Sequence, residues 1–318
     1  MPDVRRYLNE FLMDRYVIDA PWPVRRAIVS LTVLPKRPAA SAHAYASIWT
    51  DQGSPLLMHS RVLRDSLSAE LGTKVWLAMR YGEPSIANAL NEMHTAGVTD
   101  ILLAPLYPQH ADATRTTTIA ATQKLLAAAG GWARLCVLPP FHADAGYLDA
   151  IANLTRGHLA DADHLLFSYH GLPERAIKKA DTSGRRCLKS PSCCDGDAAT
   201  QPNCYRQQCF ATTRALVQRL GLGANAYSVS FQSRLGRIPW LQPYTDETLR
   251  TLPVRGVRKL AVVCPAFVAD NLETLEEIAM QGRTTFLAAG GESLQLVPCL
   301  NADPAWVRAL AQLLRAMP

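Results

Sequence analysis

The chain has 318 residues, 48% hydrophobic and 19% charged, with a formal net charge of +6. That composition supplies a core for two domains of ordinary size and excludes a disordered chain. The Lys and Arg residues are scattered, with no basic run interleaved with aromatics, and no apolar stretch approaches the roughly 18 residues of a membrane-spanning helix, so neither nucleic-acid binding nor a membrane span is expected. The opening MPDVRRYLNEFLMDR carries both charge signs and no apolar signal core, which reads as a cytoplasmic protein with reduced thiols.

Along the first half, Val4, Tyr7, Leu8, Phe11 and Leu12 share one face at helical spacing, and Arg5, Arg6, Asn9 and Glu10 take the other. A helix is therefore expected almost from Met1. With Trp22 and the apolar run near 28–34 it reads either as a hydrophobic lip that touches the inner membrane surface or as an ordinary core helix. Short apolar runs follow at 74–80, 100–108 and 134–141, with helical patterns at 85–96 and 114–129 between them. A boundary is expected near 145–155.

The second half repeats the alternation, with apolar runs at 163–171, 224–232 and 259–267 and a last helix near 303–316 that is expected to pack back on the first half. Buried apolar strands alternating with helices read as α/β: two Rossmann-like, doubly wound parallel-sheet domains, 1–150 and 151–318. Residues 180–209 break the pattern as a polar, Cys-rich insertion.

Four features carry chemistry. His170 ends the run at 163–169, where ligands collect in parallel α/β sheets, and an imidazole there exchanges protons or binds a metal; a hydrogen-bonded structural His is the competing reading. Asp270, Glu273 and Glu277 are spaced to share one helix face as a carboxylate file for a divalent cation or protons, although Asp270 and Glu273 also fit a capping pair. Cys187, Cys193, Cys194, Cys204 and Cys209, five of the eight cysteines, crowd the insertion. Four thiolates suit a tetrahedral zinc or a [2Fe–2S] cluster; the lack of CxxC pairs speaks against a zinc ribbon, and a redox-labile loop of thiols is the alternative. The stretch 231–241 combines Phe231, Ser233, Arg234, Arg237 and Trp240, a set able to stack on a flat ring and bind its carboxylates.

Together these features resemble the ferrochelatase family. The resemblance rests on FSYHGLPER (167–175), FQSRLGRIPWLQPYT (231–245) and CPAFVADNLETLEEI (264–278), supported by RRYLNEFLMDRYVI (5–18), IWTDQGSPLL (48–57), AMRYGEPSI (78–86) and APLYPQHADAT (104–114), all in family order. It implies two chelatase-like domains around a porphyrin cleft, with protoporphyrin IX and ferrous iron as substrates and protohaem as product. It implies His170 and Glu273 as the active-site pair, with Asp270 and Glu277 extending from that glutamate along a π-helical or irregular helix as an Fe2+ path. Arg80 and Tyr81 match cleft residues near metal entry, and Tyr107, Ser233 and Trp240 match residues lining the macrocycle.

Some bacterial members carry an internal Cys-rich insertion with a [2Fe–2S] cluster. Four of the five cysteines are expected as ligands, with only one of the adjacent Cys193 and Cys194 among them. One departure stands out: the family begins with a strand ending in NLGTP, and this sequence starts after it. Either the true start lies upstream or the first strand is absent, in which case the first sheet loses a strand and its packing. Coproporphyrin as substrate, and a catalytically impaired porphyrin- or Fe–S-binding protein, are the rival expectations.

Overall fold

The computed structural model describes residues 2–195, 202–236 and 238–318. Among the described residues six strands form two parallel sheets: β1 (Asp100–Leu103) pairs with β2 (Arg134–Val137), and a second sheet runs in the order β4 (Tyr227–Gln232), β3 (His164–His170), β5 (Lys259–Val263), β6 (Ser293–Leu296). β3 is central because its side chains Leu165, Leu166, Phe167 and Tyr169 are buried on both faces. Each such side chain contributes on the order of 1.5–3 kcal/mol when taken from water.

Several expected strands stop early for a local reason. The run at 100–108 leaves the sheet after Leu103, before Pro105 and Pro108; that at 134–141 stops before Pro139 and Pro140; that at 259–267 stops before Pro265. Proline has no N–H to give a ladder. The run at 74–80 joins no sheet. Among the described residues it makes only the isolated bridge Met79↔Ser85, and a cavity of about 560 Å³ lies beside it, lined by Trp76, Leu77 and Asn88 among others. Apolar content made it read as a strand, but a strand needs a neighbour to pair with. β6, four residues long, was too short to show a pattern.

The helix Pro2–Leu12 forms with the expected face inward: Leu8 and Leu12 are buried against Val29 and Leu34. The C-terminal helix Pro304–Arg315 packs on both Pro55–Leu71 and Ala145–Leu159, as expected. Its Trp306 is fully buried against Phe141 and Tyr147, at ring separations of 5.5 and 5.9 Å. Leu63 and Leu67 of the first half belong to the same core as Leu310 and Leu314, so the two halves share apolar packing. No helix among the described residues is long and apolar enough to cross a membrane.

Candidate functional site

The carboxyl ends of β4, β3 and β5 lie side by side, and each supplies part of one site. His170 ends β3. Its Nδ1 lies 2.6 Å from the Gly171 carbonyl oxygen. A carbonyl only accepts, so Nδ1 carries the proton and Nε2 keeps its lone pair for a proton or a metal. Position 171 must stay small, because a Cβ there would sit 2.8 Å from the Gln232 carbonyl oxygen and 3.4 Å from the Trp240 ring. Trp240 and Phe267 flank the imidazole at 6.5 and 6.2 Å between ring centres. The Trp240 indole N–H donates to the Leu235 carbonyl at 2.9 Å, which fixes the ring.

Ser233 follows β4 with φ +66, a left-handed conformation that is costly for a residue with a Cβ. The turn aims both its groups at one carboxylate: the backbone N–H reaches Glu277 Oε1 at 2.7 Å and the hydroxyl reaches Oε2 at 2.5 Å. Glu277 sits on the π-helix Leu275–Gly282, so the irregular helix is observed, and π turns recur at functional sites. Burial raises the Glu277 carboxyl above its ordinary range; Ser233 and His170 pull it down, and Glu273 pushes it up.

Glu277 therefore lies within electrostatic reach of both His170 and Glu273. A group whose folded pKa is raised favours its protonated form in the fold. Its contribution is present below the ordinary value of 4.5 and is lost as pH rises through the raised value. The melting-temperature difference between Glu277→Gln and the parent should therefore move in the variant's favour from pH 4.5 to pH 8. A difference that stays flat would contradict this.

Glu273 faces aromatics of the first half. Tyr7, on the helix Pro2–Leu12, and Tyr45, on the helix Arg37–Ile48, share a hydroxyl contact with rings 6.4 Å apart. Both feel the Glu273 charge, and burial pushes Tyr45 up to about 12. Tyr107 lies near enough to influence Tyr7, and burial raises its own hydroxyl. Tyr81 meets Tyr7 and Phe11 edge-on at 6.4 and 5.3 Å.

Arg80 stacks on Tyr81 at 4.4 Å and is held by a residue the sequence reading passed over. The buried Asp14 accepts from Arg80 at 2.5 Å, from the Tyr81 hydroxyl at 2.9 Å and from the Thr117 hydroxyl. Burial raises the Asp14 carboxyl, but those bonds, the Tyr16 N–H and the Arg80 charge outweigh it and hold the pKa below the ordinary value.

Asp270 stands apart from the expected carboxylate file. Its oxygens accept from the Asn301 amide at 2.8 Å, the Cys299 N–H at 3.2 Å and the Thr274 hydroxyl at 3.2 Å. The capping pair is also one residue along, since Asn271 and Thr274 cap each other reciprocally. Arg234 is engaged by Asp246 and Glu247 and stacks on Tyr244, and Arg237 lies outside the described residues.

The cysteines divide. Cys209 is fully buried in the core, and its thiol is raised by burial. The other four stand as two close pairs: Cys187 and Cys204 at 4.0 Å between sulfurs, Cys193 and Cys194 at 3.8 Å. Arg206 reaches Cys194 at 3.0 Å and Cys193 at 3.6 Å. Cys204 is held below the ordinary thiol range, first by the bond from the Cys194 thiol. Among the described residues, no three or more His, Cys, Asp or Glu side chains converge as they would around one metal ion.

Comparisons with known proteins bear on the family and the fold. The family described as Ferrochelatase matches residues 1–317. The ferrochelatase of Azotobacter vinelandii is 55% identical over 316 residues, 98% of this chain and 93% of that protein. The ferrochelatases of Ectopseudomonas mendocina and of Pseudomonas fluorescens strain Pf0-1 are each 53% identical over 319 residues, 99% of this chain and 93% of theirs. Among solved structures, SirB from Bacillus subtilis with Fe3+ superposes with a TM-score of 0.53 over 83% of this chain and 91% of that one, at 12% identity. That likeness speaks for the fold.

Proposed function

The chain belongs to the ferrochelatase family and inserts ferrous iron into protoporphyrin in haem biosynthesis, and on that premise we propose that His170 and Glu273 are the groups that face the macrocycle. Insertion exchanges two pyrrole N–H protons for Fe2+, so the protein must accept protons from a ring that presents its nitrogens poorly while flat. His170 accepts them at Nε2, the nitrogen left free by the bond from Nδ1 to Gly171. Glu273, on the side of Tyr7 and Tyr45, meets the ring or the incoming iron. Glu277, whose proton affinity burial raises, passes protons onward from His170.

Trp240 and Phe267 flank the imidazole and exclude water from it, and with Tyr107 and Ser233 they hold the ring against it. Arg80 and Tyr81, pinned by Asp14, form the facing wall. Asp270 anchors the start of the helix rather than carrying iron. The observation that carries the reading is that Glu277, gripped by Ser233 at the end of β4, lies within electrostatic reach of both His170 and Glu273. Its test is haem formation from Fe2+ and protoporphyrin under anaerobic conditions, together with loss of that activity when His170 or Glu273 is replaced.

The cysteine loop supports a [2Fe–2S] cluster. Two thiolates on one tetrahedral iron stand roughly 3.8 Å apart, given metal–sulfur bonds of about 2.3 Å. The Cys187/Cys204 and Cys193/Cys194 pairs are spaced at 4.0 and 3.8 Å, one pair for each iron. On this reading both adjacent cysteines are ligands and Cys209 stays in the core. Protein purified anaerobically should be coloured, and Cys204→Ser should bleach it; colourless protein with one zinc per chain would end the reading.

A lip of Trp22, Val24, Ile28 and Leu31, between 39% and 75% exposed, supports peripheral contact with a membrane surface. Leu31→Ser should weaken co-sedimentation with phosphatidylglycerol vesicles severalfold; equal sedimentation would count against it.

A further inference from the structure

A hydrogen bond joins the cysteine loop to the backbone of His170. β3 pairs with β4 out to His170↔Gln232, and the Gly171 N–H continues that ladder to the Gln232 carbonyl at 2.8 Å. On its other side β3 pairs with β5 only as far as Phe167↔Val263, because β5 gives way to Cys264 and Pro265. Alternate residues of a strand bond to opposite neighbours, so the His170 carbonyl points to the edge that β5 has abandoned. The Tyr205 hydroxyl takes the missing partner's place, donating to that oxygen at 2.8 Å.

Tyr205 is the first residue of the helix Tyr205–Leu220, and its N-cap is Cys204. The next residue, Arg206, contacts the sulfurs of Cys193 and Cys194. The peptide that carries His170 is thus clamped between the sheet and a helix start set by the cysteine pairs. Tyr205 is buried, its ring packed in the same core as Tyr169 and Cys209. A shift of that helix start therefore reaches the strand end.

We propose that Tyr205 is a positioning residue for His170 and that it couples the imidazole to the state of the cysteine loop. Ordered thiol pairs hold the helix start, the helix start holds the Tyr205 hydroxyl, and the hydroxyl holds the turn that aims Nε2 at the macrocycle. The coupling rests on the cluster reading; the positioning role does not.

Tyr205→Phe in the full chain tests both, because the ring and its packing stay and only the hydroxyl goes. Misaiming of a proton acceptor lowers kcat by about tenfold and leaves KM for protoporphyrin within about twofold. A purely structural role would move the melting temperature without that split. Coupling is reciprocal, so protoporphyrin binding changes the EPR spectrum of the reduced cluster in the parent and leaves it unchanged in Tyr205→Phe.

Cys187→Ser closes the cycle: it lowers kcat in the parent background and has no further effect in the Tyr205→Phe background. Unchanged kcat in Tyr205→Phe would overturn the positioning role. Equal effects of Cys187→Ser in both backgrounds would overturn the coupling. A colourless parent would remove the cluster reading alone, and the Cys187→Ser cycle would still decide whether the loop speaks to His170.

Discussion

His170→Ala should lower iron insertion by about 10³-fold while protoporphyrin still binds within about threefold of the parent. The imidazole offers one free nitrogen, Nε2, since Nδ1 is bonded to Gly171, and its ring is flanked by Trp240 and Phe267. Alanine removes the acceptor and leaves the aromatic walls that supply contact area for the ring. Binding and metallation should therefore separate, with porphyrin fluorescence quenching on addition and haem absorbance failing to develop. Exogenous imidazole should restore a fraction of the rate in the variant, because the vacated space adjoins the same macrocycle. Normal turnover would sink the assignment. Loss of porphyrin binding in step with turnover would instead make His170 a packing residue.

The second half of the molecule was legible because its chemistry lies in short contiguous motifs at strand ends. His170 and Ser233 were each visible as a polar residue directly after an apolar run, and a parallel sheet brings such positions to one edge; Glu277 stood out as an acid on one helix face with Glu273. What the sequence did not show there was how each acid is partnered. Asp270 and Glu273 look alike in a linear string, and only Asn301, 31 residues on, reveals the amide that bonds Asp270.

The first half was less legible because its contribution is assembled from far apart. Tyr7 read as one apolar residue on an amphipathic face, and Tyr45 drew no reading at all. Nothing local in either says that their hydroxyls meet near Glu273. The 74–80 run was misread for a related reason: periodicity reports which side chains want burial and says nothing about whether a neighbouring strand is there to pair.

Asp14 is the strongest case of a long-range residue, and its loss should be the most damaging to stability. It sits just past the helix Pro2–Leu12, where an acid usually signals no more than a solvated helix end. Its side chain is 5% exposed and that of Arg80 22%, and the two lie 66 positions apart in sequence. The Tyr81 and Thr117 hydroxyls point at the same oxygen. Asp14→Ala would leave a half-buried guanidinium without its counter-ion and two hydroxyls without their acceptor, a loss of about 3–5 kcal/mol for a broken buried pair. The expected result is a large fall in the denaturant midpoint, together with weaker activity as Arg80 and Tyr81 leave the cleft wall.

Asp14→Asn should be milder, since the amide oxygen still accepts one hydroxyl. Its pH behaviour then gives an independent check. Because the folded pKa is lowered, the charged Asp14 stabilises the parent above the ordinary value of 3.8, and that contribution fades as pH falls through the lowered value. The Asn variant lacks a group to titrate, so the gap between the two should be full at pH 7 and narrow below pH 3.8. Arg80→Met on top of Asp14→Ala should recover part of the lost stability, because it removes the stranded charge. A midpoint for Asp14→Ala within about 1 kcal/mol of the parent would show that Arg80 finds another partner and that the first wall of the cleft is not built on this carboxylate.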